Sequence, residues 1–216
     1  MDKGSVKWSI LPMSMKRDMA TAKIGRPRAF DVERALDRAL HVFWRKGYEG
    51  ASLSDLTKAM RINRPSLYAA FGNKEALFRK ALDRYAKGPI AYFDEALNAP
   101  TARAVAERFL RGTIDLLTNP RTPRGCLIVQ SALACGNAAD SIRKELASRR
   151  DAGEAALRRR FQRAKRERDL PANADPADLA RYITTVVHGM AVKGAGSATR
   201  QQLLRVMQTA LQAWPA

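Results

Sequence analysis

The sequence lacks the features that mark several large classes of protein. No apolar run approaches the roughly 18–20 residues that a membrane-spanning helix needs, and the apolar stretch WSILPM near the N-terminus is too short and too broken by proline for a secretory signal. The only two cysteines, Cys126 and Cys135, do not make a disulfide scaffold. These absences favour a cytoplasmic globular protein with no membrane partner.

The motifs of common enzymes are missing as well. The sequence has two histidines in total, so few acid–base schemes are open to it. It also contains no nucleophile elbow, no His/Cys set with metal-ligand spacing and no glycine-rich phosphate loop. We therefore predict that the protein is not an enzyme and uses no cofactor or metal.

Basic residues, in contrast, are in clear excess. Among the 216 residues, 39 are Lys or Arg and 21 are Asp or Glu, which gives a net charge of +18. Such a surface attracts polyanions, and nucleic acid is the commonest of these. The most basic segment per residue is the N-terminal one, where residues 1–24 show no usable periodicity and are predicted to form a disordered basic arm.

The pattern from Asp31 onwards is helical, without strand signals or internal repeats, and predicts an all-α fold of about nine helices. Ser52 and Asp55 resemble a capping box at the start of a second short helix. Asn63 caps a third helix, RPSLYAAF, and Pro65 stands in its first turn. A fourth helix follows Asn73; we expect the Gly88-Pro89 pair to break or kink it and the segment IAYFDEAL to continue it.

A three-residue turn between the second and third helices is the spacing of a helix-turn-helix, in which the third helix enters the major groove of DNA. Leu67 and Phe71 anchor this helix, and Tyr68 points elsewhere, so its hydroxyl can reach a phosphate. Lys74 stands at the start of the next helix, where charge and helix dipole favour another phosphate. The alternative is a half-buried surface tyrosine and a solvated lysine.

Residues 25–78 resemble the DNA-binding domain of the TetR/AcrR family of bacterial transcriptional regulators. The segments that carry the resemblance are GRPRAFD, FWRKGYEGASLSDL and INRPSLYAAFGNKEALF. The resemblance implies a three-helix DNA-binding domain over 25–78 and a larger helical domain for effector binding and dimerisation over 79–216. It also implies a repressor that binds a palindromic double-stranded operator and is released by a small-molecule effector.

Nine residues are candidates for DNA contacts. Arg26 and Arg28 fit a narrow minor groove, unless they belong to a disordered tail. The resemblance implies that Ser52 caps the second helix near a phosphate and that Arg64 and Ser66 choose the base. The full set is Arg26, Arg28, Ser52, Asn63, Arg64, Pro65, Ser66, Tyr68 and Lys74. Arg61 stands where the family usually has glycine. Because arginine in a left-handed turn costs roughly 1 kcal/mol, either the turn differs here or Arg61 contacts DNA.

The second domain has two sets of candidates. The resemblance implies a homodimer through the last two helices, whose apolar faces carry Ile183, Val186, Val187, Met190, Leu203, Leu204, Met207 and Leu211; the alternative is an ordinary intrachain core. Candidate effector-binding residues are Phe93, Phe109, Leu116, Cys126, Gln130, Leu133 and His188.

Other functions remain open at this point. A regulator without an effector, or one that responds to thiol oxidation through Cys126 and Cys135, would fit the same sequence. A non-specific chromatin-type DNA binder would not need so large a second domain. The basic run over 158–168 is either a solvated helix face or a second contact to nucleic acid.

Overall fold

The computed structural model describes residues 30–134, 136 and 139–215. Within these ranges the chain forms ten helices and no strand, which confirms the all-α prediction. In chain order they are α1 (Val32–Gly50), α2 (Leu53–Met60), α3 (Arg64–Phe71), α4 (Lys74–Lys87), α5 (Tyr92–Leu97), α6 (Ala102–Thr118), α7 (Leu127–Ala134), α8 (Asp140–Arg166), α9 (Pro176–Ala195) and α10 (Arg200–Gln212). None of these described helices is both long and apolar enough to cross a membrane.

Side-chain caps fix the starts of the first four helices. Asp31, Ser52, Asn63 and Asn73 each accept a hydrogen bond from the backbone N–H three residues later. Each cap satisfies one of the N–H groups that the first turn of a helix leaves without an intrahelical partner. Near the end of α1, Gly47 leaves the helical path with φ 69° and ψ −178°, a conformation that favours glycine.

The fourth helix packs on the first and belongs to the N-terminal core. Its buried residues, from Leu77 to Tyr85, share one apolar cluster with Phe43 and Trp44 of α1. On the surface, Arg84 holds the two helices together through hydrogen bonds of 2.8 and 3.0 Å to Asp37 and of 2.8 Å to Glu33. The domain boundary expected at residue 78 therefore falls inside α4.

The Gly88-Pro89 pair ends α4 rather than kinking a longer helix. Gly88 has φ −119° and ψ −91°, outside the helical region, and Ile90 N donates to the Tyr85 carbonyl at 3.2 Å. The segment after it forms the separate short helix α5, so the expectation that it continues α4 is wrong. This extra helix accounts for the difference between ten helices and about nine.

The C-terminal helices form a second core around α6, which packs against α5, α9 and α10. The long helix α8 lies along α9, and its buried Arg160 donates to the carbonyls of Leu97, Ala99 and Pro100 at 3.2, 2.7 and 3.1 Å. These bonds hold the loop between α5 and α6 on α8.

Two long-range hydrogen bonds join the N-terminal helices to the segment around α7. The indole Nε1 of Trp44 donates to the Gly125 carbonyl at 2.9 Å, just before α7. The backbone N of Gly136 donates to Glu49 Oε1 at 2.7 Å, just after it. Both ends of α7 are therefore tied to α1.

Candidate DNA-binding surface and ligand cavity

The short helix α3 is exposed at its N-terminal end and anchored by two buried side chains. Leu67 and Phe71 are buried, whereas Asn63, Arg64 and Pro65 are exposed. Asn63 Oδ1 accepts a hydrogen bond of 2.8 Å from Ser66 N, so the cap fixes the direction in which the helix starts. The exposed end presents these first residues to a partner without moving the core.

Tyr68 lies on the open side of the same helix. Its side chain is 48% exposed, while its neighbour Leu67 is fully buried. The 100° rotation per helical residue accounts for this difference. Its hydroxyl is thus available to a phosphate beside the groove.

Ser52 is engaged locally in a complete capping box. Its Oγ accepts from Asp55 N at 3.0 Å and donates to Asp55 Oδ2 at 2.8 Å, and the Ser52 backbone N donates to the same carboxylate at 3.1 Å. Lys46 forms an ion pair of 2.7 Å with Asp55. The hydrogen bond from Lys46, followed by those from Ser52, lowers the pKa of Asp55 to about 2. The turn before α2 is therefore a rigid, pre-formed element.

Lys74 is held over an aromatic ring that is absent from the candidates chosen by sequence. Its Nζ lies 4.6 Å from the centre of the Tyr48 ring and 3.5 Å from the Glu49 carbonyl oxygen. A cation above an aromatic face is attracted by the ring's quadrupole. Tyr48 and Glu49 thus position the lysine, and the only sequence signal for them is the aromatic residue inside GYEG.

Arg61 adopts the left-handed conformation expected at the turn between α2 and α3. Its φ and ψ are 60° and 42°, and its backbone N–H donates to the carbonyls of Lys58 and Thr57 as the cap of α2. The turn keeps its geometry although an arginine occupies it, and the arginine side chain is exposed. The candidate residues Arg26 and Arg28, and the arm over 1–24, lie outside the described residues.

A cavity of about 380 Å³ opens in the second domain, between α4, α6 and the helices that follow. Its wall is mostly apolar. Five of the seven candidate effector residues line it, namely Phe93, Phe109, Leu116, Cys126 and His188. The other two are corrections: Gln130 does not line the cavity because its amide packs at Gly125, and Leu133 does not because it is 73% exposed on the surface of α7.

The polar side of the cavity comes from α8 and α9. Arg150 and Glu154 line it from α8, and Thr184 and His188 line it from α9. The Thr184 hydroxyl donates to Glu154 Oε2 at 3.1 Å. Burial lowers the pKa of His188, and the nearby charge of Arg150 lowers it further, while Glu154 opposes the shift. His188 is therefore a neutral hydrogen-bonding group near pH 7.

Comparison with known proteins places these two surfaces in a family. Residues 35–81 match the family model for bacterial regulatory proteins of the tetR family, and residues 103–210 match that for the tetracyclin repressor-like C-terminal domain. The chain is 32% identical over 196 residues to the HTH-type transcriptional repressor ComR of Escherichia coli K12, covering 88% of this chain and 92% of ComR.

The chain belongs to the TetR family of bacterial transcriptional regulators. It is a sequence-specific DNA-binding regulator and not an enzyme. Among solved structures it is similar to a cysteine mutant of the TetR family regulator CifR in complex with 26-base-pair operator DNA. That pair has 44% identity and a TM-score of 0.85, and covers 88% of this chain and 100% of the CifR chain. A TetR regulator from Rhodococcus sp. RHA1 has 41% identity and a TM-score of 0.58, and the match covers 84% of this chain and 97% of that one.

Most residues expected at the TetR dimer interface are instead buried within the single chain. The buried ones are Ile183, Val187, Met190, Leu203, Met207 and Leu211, and they belong to the C-terminal core. Val186 and Leu204 are partly buried against the same core. The apolar stripe of each helix faces inward because it is the stripe that the single chain must bury first. These six side chains are therefore already packed within the chain, and their place in a dimer interface stays a prediction.

The outward face of α9 carries a different set. Tyr182 is 38% exposed and Val192 50%, and a Cβ added to Gly189 between them would meet nothing within 4 Å. Val206 of α10 is 43% exposed. Sequence periodicity did not identify these residues. They are few, and they lie among polar residues outside the longer apolar stripe that each helix buries.

The hypothesis that the regulator responds to thiol oxidation involves two cysteines, of which one lies within the described residues. Cys126 is partly buried, lines the cavity and packs against both hydrophobic cores. Burial raises the pKa of neighbouring Tyr85 well above its ordinary value, with the Cys126 charge as a further cause. Cys135 lies outside the described residues, so the redox response stays a prediction.

Proposed function

We propose that this TetR regulator is a repressor that binds a palindromic operator as a homodimer and leaves it when a small molecule fills the cavity. The main support for this proposal is that Cys126, which lines the cavity, packs against the N-terminal core as well as the C-terminal one. A ligand that displaces this wall changes the surface on which the DNA-binding helices rest. The names of similar proteins support the repressor assignment, since ComR is a transcriptional repressor and CifR was solved on operator DNA.

We assign the DNA contacts by chemistry. Tyr68 and Lys74 bind backbone phosphates, Arg64 and Ser66 read base edges, and Ser52 sits close to a phosphate. Asn63 and Pro65 shape the entry of α3 into the groove, and Arg26 and Arg28 reach the minor groove. The supporting observations are the exposed N-terminal end of α3 and the lysine held over Tyr48. The boundary between the DNA-binding and effector-binding parts, expected between residues 78 and 79, is better placed at the end of α4, because α4 packs in the N-terminal core.

The operator can be recovered by capture from genomic DNA, whichever gene it controls. The purified full chain is mixed with sheared genomic DNA of its own host, and captured fragments are sequenced. A regulator of this kind enriches one or a few palindromic sites. Uniform capture of all fragments would instead support the chromatin-type alternative.

The recovered site then tests the phosphate role of Lys74. Lys74→Ala should weaken binding to all sequences alike and reduce the slope of log K against log salt by about one, because one phosphate contact releases about one counterion. The matched control is Lys80→Ala, since Lys80 is an exposed lysine of the same helix. A change in the preferred base on Lys74→Ala contradicts the assignment.

For the dimer we assign the outward face with Tyr182, Gly189 and Val192, together with Val206. Three exposed large apolar side chains at the end of a chain suit a helical interface between two copies. Val206→Glu should convert the dimer to a monomer in light scattering. Gln208→Glu adds the same charge at an exposed position of α10 and should leave the mass unchanged; a dimeric Val206→Glu protein places the interface elsewhere.

A further inference from the structure

The side chains that line the cavity indicate which class of ligand it accepts. This inference about the ligand rests on the proposed regulatory function. Its apolar part is bounded by aromatic side chains: the Phe93 and Phe109 rings meet edge-on at 4.8 Å, and Tyr92 and Phe109 are 6.2 Å apart. The Tyr92 hydroxyl bonds to Thr113 at 3.2 Å, so it is already engaged. This part of the cavity offers a ligand mainly a hydrophobic surface.

Two consecutive arginines of α8 line the cavity and differ in their partners. Arg149 donates to Glu145 Oε1 and to Asp83 Oδ1, both at 2.7 Å, and is thereby satisfied. The Nη1 atom of Arg150 is buried, yet it has no hydrogen-bond partner within the described part of the chain. A buried guanidinium N–H without an acceptor is costly, so an acceptor supplied from outside would be stabilising.

Other polar groups line the cavity near Arg150, and none of them forms an ion pair with it in the described part of the chain. One carboxylate oxygen of Glu154 already accepts from Thr184 at 3.1 Å. His188 on α9 is neutral near pH 7 and adds a second uncharged hydrogen-bonding group close to Arg150. Asp94 of α5 also lines the cavity and is an exposed residue.

We propose that the effector of this cavity is an apolar carboxylic acid. Its hydrocarbon or aryl body packs against Phe93, Phe109 and their neighbours, and its carboxylate accepts hydrogen bonds from the Arg150 guanidinium. A planar carboxylate matches the forked donors of arginine with two parallel hydrogen bonds, and it adds the attraction between opposite charges that a neutral acceptor lacks. An apolar amine would instead be drawn to Glu154 and repelled by Arg150.

The first test compares three probes that share one aryl body and differ in the head group. Phenylbutyrate carries the carboxylate, its methyl ester is a neutral acceptor, and phenylbutylamine is a cation. Calorimetric titration of the full-length dimer should show saturable binding of phenylbutyrate at sub-millimolar concentration. The ester and the amine should each bind at least about tenfold more weakly, because the ester lacks the negative charge that pairs with the guanidinium and the amine lacks an acceptor.

The second test replaces the arginine. Arg150→Gln should weaken phenylbutyrate binding at least about tenfold and leave the ester unaffected. Arg159→Gln is the matched control, since Arg159 is an exposed arginine of the same helix outside the cavity, and its phenylbutyrate affinity should stay at the wild-type value. Should Arg150→Gln not fold, the comparison of probes on the wild-type protein still decides the question.

Three results overturn the proposal: an ester or amine that binds as tightly as the acid, an acid affinity that survives Arg150→Gln, or no saturable binding of phenylbutyrate. None of these three results bears on DNA binding, which the capture experiment tests separately. Capture of one palindromic site together with any of them rejects the carboxylate and keeps the regulator. Loss of sequence-selective DNA capture with intact phenylbutyrate binding rejects the proposed function instead.

Discussion

The DNA-binding head, helices α1 to α4, and the ligand cavity differ in the range of the contacts that build them. In the head, the caps at Ser52, Asn63 and Asn73 each join residues three apart in sequence. The cavity draws its wall from helices between Ala86 and Ala191, more than a hundred residues apart. The caps fix the starts of α2, α3 and α4 locally, whereas a cavity assembled at long range responds to any shift of its helices.

Polar contacts join the two parts at several points. Trp44 and Glu49 of α1 hold the two ends of the α7 segment at Gly125 and Gly136. Asp83 of α4 holds Arg149, which stands next to the proposed ligand anchor. Leu116, Leu127 and Ile142 also pack into the N-terminal cluster, and both α1 and α4 belong to the core on which α3 rests.

The largest predicted effect comes from breaking the head itself. Leu67→Ala removes a fully buried side chain that anchors α3 and should lower the free energy of unfolding by about 2–5 kcal/mol. Thermal unfolding and operator affinity measure the two consequences. Leu110→Ala deletes an equally buried leucine from the C-terminal core. Leu110→Ala should destabilise the chain by a similar amount. At a low temperature, where both variants are folded, only Leu67→Ala should lose operator affinity.

A contact between the parts is the next target. Trp44→Phe keeps most of the ring but removes the indole N–H that donates to Gly125 at 2.9 Å. The buried carbonyl loses its partner, so the free energy of unfolding should fall by about 1–3 kcal/mol in urea titrations. Trp214→Phe is the control for lost ring area, because Trp214 packs edge-on against Phe161. Equal losses in both variants would show that the hydrogen bond contributes nothing.

The sequence predicted the head far better than the cavity, for the same reason of range. The caps at Ser52 and Asn63 are short-range and leave a local signal, so the starts of α2 and α3 were predictable. Met207 shows the opposite situation: its stripe is apolar in sequence whether it faces another helix of the chain, as it does here, or a second subunit. No local pattern distinguishes Arg150 from Arg149 either, because their difference lies in Asp83, which is 66 residues away from Arg149.

Arg61 allows a smaller, two-part test. It and Arg168 are the non-glycine residues with positive φ in the described ranges, at 60° and 62°. Replacing either with glycine should raise the free energy of unfolding by up to about 1 kcal/mol, since glycine lacks the Cβ that makes this conformation costly. Of the two, only Arg61 lies next to α3, where its exposed side chain can contact a phosphate. Arg61→Gly should therefore also reduce the slope of log K against log salt for operator binding by about one. Unchanged DNA binding in both variants would limit the role of Arg61 to the turn.

The smallest predicted effect is a pH dependence of the head. The folded protein lowers the pKa of Asp55 to about 2, against an ordinary value of 3.8. The unfolded chain therefore binds a proton first, and the stability that Asp55 contributes is complete above about pH 4 and is lost as the pH falls towards 2.

The pKa of Asp140, at the start of α8, is lowered to about 2 as well, by Lys144 and then by Arg143. Both carboxylates are on the surface, so solvent screening keeps each contribution small. Asp55→Asn and Asp140→Asn should each flatten the fall of the urea midpoint between pH 4 and 2, and the two effects should add because the sites share no partner. Fluorescence of Trp44, measured in a background with Trp8→Phe and Trp214→Phe, separates them. If Asp55→Asn changes the acid transition of this signal no more than Asp140→Asn does, the capping box of α2 is not what makes the head acid-sensitive.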